Sequence, residues 1–235
     1  MSRRARRRWI AGAAAAALLL ALVAGAAIAF PSVAAAACPG CYGLERLRPG
    51  VYAEPGLPPY QRRRVPEVVE RANRRVRDFF GGRKSSPDVL VCLSEDCYRR
   101  IGGGRERGVA VLNRSVMLSP RGVDPVIASH ELTHVELHAR LGGADVPQWF
   151  DEGLAVLVSG DPRYLSPAGG RCPPGSGRPL PATLGDWLRV ASADPRLYGE
   201  AACRVSRWAE ANGGERAVRD LVARLSEGGP LPDMS

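Results

Sequence analysis

Apolar residues fall into distinct patterns along the 235-residue chain. The first is an unbroken run of 22 residues, Trp9 to Phe30. Further on the spacing becomes helical: Val65, Val68, Val69, Ala72, Val76, Phe79 and Phe80 recur at three- and four-residue steps, which predicts a helix that Pro66 starts and Gly81-Gly82 ends. Asp88–Leu93 (DVLVCL) reads as a buried strand. Gly108–Leu112 and Ser115–Leu118 flank Asn113-Arg114, a hairpin pattern. Val126, Ile127, Leu132, Val135 and Leu141 then mark a helix with Asp124 as its N-cap, Pro125 at its first position and Gly142-Gly143 after its end. A shorter helix starts near Pro147, Asp186-Trp187-Leu188 sits on a helical turn or two, and two more helices cover about 199–212 and 214–227. Between these lie two stretches rich in Gly and Pro: an arm over 38–64, with a short strand at Gly50–Ala53, and a loop over 160–181.

The N-terminus adds a compartment. Arg3, Arg4, Arg6, Arg7 and Arg8 precede the apolar run, and Pro31-Ser32-Val33 and four alanines follow it. That order matches a secretory signal with a cut within Ala34–Ala37. A 22-residue run is also long enough to cross a bilayer, and the arginines would keep its start in the cytoplasm, so a retained anchor over residues 9–30 is the alternative. Either way the remainder is exported, to the periplasm or beyond. The chain divides into this segment (1–37), the extended arm (38–64) and one domain (65–235), expected to be monomeric.

Export changes what the charge and the cysteines mean. The chain carries a net charge of +9; the five arginines of the leader account for five of these, which leaves +4 on the rest. The mature part is therefore close to balanced, and nucleic acid is not an expected partner. Six cysteines in an exported chain predict disulfides, and pairings that close a local or a loop-to-helix link are favoured: Cys38–Cys41, Cys92–Cys97 and Cys172–Cys203. A redox role for Cys38-Pro39-Gly40-Cys41 is the alternative, although no strand–helix pattern flanks it.

The chemistry concentrates in Ser129–His138 (SHELTHVELH), which holds every histidine of the chain. On a helix, His130 and His134 project from one face and can fill two corners of a tetrahedral zinc site. Glu131 lies about 100° round the helix, beside such a metal, where it can take a proton from a zinc-activated water and pass it to a leaving amine. A third protein ligand is needed, and Glu152 on the following helix is the candidate. His138 continues the same stripe. As a ligand it would leave Glu131 and Glu152 without roles, so it reads as a partly exposed helix residue. Either Asp151 or Glu136 could orient a ligand histidine.

With His130-Glu131-Leu132-Thr133-His134, Pro147–Ala155 (PQWFDEGLA) and Tyr198-Gly199-Glu200-Ala201-Ala202, the sequence resembles the gluzincin (peptidase MA-like) zinc metallopeptidases over about residues 65–228. The resemblance implies an α+β, zincin-like fold: a small mixed sheet packed on the HExxH helix, a helical C-terminal half and zinc between them. It implies His130, His134 and Glu152 as metal ligands, Glu131 as general base, and hydrolysis of a peptide or protein substrate. It also implies a tyrosine at the oxyanion. Tyr198 matches that position best and Tyr164 next; packing one end of a C-terminal helix is the competing role for Tyr198. The short C-terminal region, without a motif for gripping a free N-terminus, favours a stand-alone protease over an aminopeptidase. The alternative function is an inactive secreted binding or scaffold module that keeps this fold.

Overall fold

The computed structural model describes residues 25, 27–165 and 179–234. Its architecture is mixed α+β, built on a five-stranded mixed sheet in the order β1-β2-β3-β5-β4. The strands are β1 (Glu45–Arg48), β2 (Val51–Ala53), β3 (Asp88–Val91), β4 (Gly108–Val111) and β5 (Ser115–Leu118). β2, β3 and β5 run parallel, and β1 and β4 close the two edges antiparallel. The stretch read as an extended arm thus supplies two strands, one more than its sequence suggested. β1 escaped notice because its Glu-Arg-Leu-Arg is mostly exposed at the sheet edge and carries little apolar alternation.

Helices cover both faces of the sheet. On one face, α2 (Pro59–Phe80) and α4 (Pro125–Leu141) pack on Val51, Ala53, Val89, Val91, Val116 and Leu118. On the other, α1 (Pro31–Ala37) and α3 (Glu95–Arg100) cover Leu90 and Met117. The alternation of β-strand side chains sets this division. α5 (Gln148–Ser159), α6 (Leu184–Ala193), α7 (Arg196–Asn212) and α8 (Glu215–Ser226) form the helical half below α4.

α2 corrects the expected start at Pro66. The helix begins at Pro59, with Pro58 as its N-cap, and Pro66 lies inside it. An internal proline costs about 3 kcal/mol through its lost hydrogen bond and ring clash. Burial of Val65, Val68 and Val69 around it offsets that, at about 1.5–3 kcal/mol for each fully buried valine-sized side chain. α3 was not foreseen; Ser94 caps it by accepting from the Cys97 amide. Disulfides join Cys38 to Cys41 and Cys92 to Cys97, as expected, and suit an oxidising compartment. Cys172 lies outside the described residues, and so does its expected bond to Cys203.

Candidate metal centre

α4 is the platform. The Asp124 carboxylate accepts from the Val126 amide at 2.7 Å, Pro125 occupies the first turn, and Gly142 ends the helix in the left-handed conformation. Such a cap stabilises the helix by about 1 kcal/mol. Ser129 and Thr133 turn their hydroxyls back onto the helix carbonyls, which leaves the histidine face free of them. α5 crosses beneath, and its approach to α7 is close. A Cβ on Gly153 would stand 2.5 Å from the Ala201 carbonyl oxygen, so glycine is required beside Glu152.

These two helices bring three ligand-type atoms together. His130 Nε2 lies 3.2 Å from His134 Nε2 and 3.3 Å from Glu152 Oε2, and His134 Nε2 lies 3.7 Å from the same oxygen. Three lone-pair atoms this close need a cation or protons among them. Their spacing is near the edge of a tetrahedron with bonds of 2.0–2.1 Å, roughly 3.4 Å. The group His130, His134 and Glu152 could hold a metal ion.

The surroundings aim the donors. Asp151 Oδ1 holds His134 Nδ1 at 2.6 Å, which leaves Nε2 to face the centre. Gln148 Nε2 donates to Glu152 Oε1 at 3.1 Å, leaving Oε2 inward. His130 Nδ1 is buried without a hydrogen-bond partner, so packing orients its ring. Burial disfavours the His134 cation, but Asp151 and Glu152 outweigh it and push His134 up to about 10. The carboxylates of Asp151 and Glu152 thus favour positive charge at this centre.

Glu131 lies beside the three atoms and is buried. Burial raises its carboxyl pKa, with Glu152 adding to the rise and the two histidines and the Ala110 amide opposing it. Gly108, two residues before Ala110 on the edge strand, leaves room for it: a Cβ there would stand 2.8 Å from Glu131 Cγ. A cleft of about 470 Å³ opens over the centre, walled by β4 on one side and by Leu184 and Leu188 of α6 on the other. A larger groove of about 950 Å³ lies elsewhere, between α2 and the α7–α8 end; its arginines and carboxylates are mixed and hold no converging donor set.

Tyr198 lines the same cleft. Its ring lies 6.4 Å from the His130 ring and stacks on Tyr164 at 5.1 Å. It also meets Trp187 edge-on at 5.2 Å, so it both packs and faces the site. Burial raises its phenol pKa, with Glu152 adding to the rise, and keeps it a hydrogen-bond donor. Tyr164 and Tyr198 both line a smaller space of about 190 Å³ beside His130 and Glu131.

His138 stands apart from the three-atom group and binds Asp151 Oδ2 through Nε2 at 2.8 Å. Glu136 turns away as well, into a buried cluster with Arg83, Ser85 and Arg140. Of the two carboxylates that could orient a histidine, Asp151 is the one that does. Sequence reasoning missed Gln148, Gly108 and Ala110. Gln148 could have been found from its four-residue spacing to Glu152; the other two depend on tertiary packing and left no signal.

No family model matches the chain, and no curated protein or solved structure does either.

Proposed function

We propose that the chain is an exported zinc metallopeptidase of the gluzincin type with a zincin-like fold. The observation that carries the reading is the convergence of His130 Nε2, His134 Nε2 and Glu152 Oε2 with the Glu131 carboxyl beside them. Two imidazoles and one carboxylate are a donor set that suits a catalytic zinc with one open position. Zinc held there by His130, His134 and Glu152 would supply a Lewis acid that makes water a usable nucleophile at neutral pH and polarises the scissile carbonyl.

The chain's own groups do the rest. Glu131 takes the water's proton on its carboxylate and returns it to the leaving amine nitrogen. Its raised pKa makes that exchange easier than an ordinary carboxylate would. Tyr198, held protonated, donates to the carbonyl oxygen as negative charge builds on it. Asp151 and Gln148 orient two of the three ligand side chains, His134 and Glu152. β4 is a sheet edge beside the cleft, a surface on which an extended peptide can add as a further strand. Proline at Val109 and Val111 should then weaken peptide cleavage.

The test is metal content and hydrolysis of the purified chain against a panel of quenched peptides and casein. Wild type should hold zinc and cleave. Glu131→Gln should keep the zinc and lose cleavage, and Glu152→Ala should lose zinc. Equal zinc in wild type and Glu152→Ala removes the third ligand. A zinc-loaded wild type that cleaves nothing favours a binding or scaffold module.

A further inference from the structure

The sequence allows either a cut within Ala34–Ala37 or a retained apolar segment, and the packing of α1 bears on the choice. Ala35 is fully buried on the sheet face opposite the candidate metal centre, in one cluster with Leu90, Tyr98, Ile101 and Met117. Val33 and Ala36 pack beside it. Gly102 has φ +87°, and a Cβ there would lie 2.6 Å from Ser32 N and 2.9 Å from Pro31 Cγ, so α1 docks on a position that only glycine leaves open. The contact continues before α1, where Tyr42 Oη donates to Ala27 O at 3.3 Å. A cut within 34–37 would strip this cover from Tyr98 and Met117.

We infer that the apolar run Trp9–Phe30 is kept after export and holds the folded domain on the outer face of the membrane, with α1 as the rigid coupling between them. Three further observations point to lipid as what the run meets. Ile28 and Phe30, at its end, are 82% and 64% exposed, so the folded domain leaves the end of the run uncovered. The run has the length of a bilayer span. The five leading arginines place its start on the cytoplasmic side.

The coupling reaches the candidate site. Along β4, Val109 and Val111 belong with the cluster that α1 covers, while Gly108 and Ala110 meet Glu131. The anchored helix therefore backs the strand whose Ala110 amide and side-chain-free Gly108 face Glu131.

The test expresses the full chain from Met1 in a bacterial host, floats the membranes on a density gradient, washes them with alkaline carbonate and measures the intact mass. The expected result is a protein that floats, resists the wash, dissolves in detergent and still carries residues 9–30. A soluble exported species that has lost residues 9–30 overturns the inference, wherever the cut lies. Ala35→Asp tests the coupling separately, by buried charge. It should stay in the membrane with a melting temperature lower by roughly 5–10 °C; an unchanged melting temperature shows that α1 is not part of the fold.

Discussion

Asp151 bridges two histidines of α4: its Oδ1 lies 2.6 Å from His134 Nδ1 and its Oδ2 2.8 Å from His138 Nε2. The carboxylate therefore fixes the His134 ring through one oxygen, while His138 fixes the carboxylate through the other. Removing such an outer partner typically costs 10–100-fold in metal affinity. Asp151→Ala should lower zinc affinity by about that factor, read by competition with a chromophoric chelator. His138→Ala, one step further out, should lower it only a few-fold. Unchanged affinity in Asp151→Ala would mean that packing alone orients His134.

The edge strand supplies the next prediction. Gly108 stands where a side chain would collide with Glu131 Cγ at 2.8 Å and Leu118 Cδ2 at 3.1 Å. Gly108→Val should move the Glu131 carboxyl and leave the three ligand atoms in place. A displacement near 1 Å can cost about 100-fold in rate. The expected outcome is kcat/KM lower by that order with full zinc content; a variant as active as wild type shows that Glu131 has room to spare.

How much of this was legible in the sequence follows from range. The α4 platform was, because Asp124, Pro125 and Gly142 act within one turn of their own positions. Glu152 was, because a short connection returns α5 under α4. The Asp151–His138 contact was not, since residues 13 apart meet only once the two helices have crossed. The nearness of Gly108 to Glu131 depends on where the whole sheet lies over α4. Pro66 misled for the opposite reason: a strong local start signal was overridden by burial on both sides of it.

Tyr198 carries a prediction that separates its two roles. If its hydroxyl meets the developing charge, Tyr198→Phe should lower kcat by about 100-fold or more while zinc content and melting temperature stay near wild type. Tyr164→Phe, whose ring stacks behind, should change kcat little. A Tyr198→Phe variant with normal kcat would leave Tyr198 a packing residue only.

Glu136 is a stability residue at the back of α4. It is fully buried and accepts from the Ser85 hydroxyl, the Lys84 and Ser85 amides, Arg83 and Arg140. Glu136→Ala leaves two part-buried guanidinium groups and two amides without their acceptor, which should cost about 3–5 kcal/mol. Urea unfolding measures it. A loss below about 1 kcal/mol would show that water replaces the carboxylate.

Asp161 gives a prediction with a pH sign. Burial would raise its carboxyl, but the hydrogen bonds and charge of Arg163 outweigh that and hold it below the usual carboxylate range. In the unfolded chain the same group titrates near the ordinary value of an aspartate, about 3.9. Because the folded value is lower, the group's stabilisation is complete above the unfolded value and disappears as pH falls through the folded one. Asp161→Asn should therefore be less stable than wild type by about 1.5–3 kcal/mol at pH 7, with the two curves converging below about pH 4. Urea midpoints measured from pH 7 down to pH 2.5 decide it. A gap that persists or widens at acid pH means that the Asp161 carboxylate is not what holds the turn after α5.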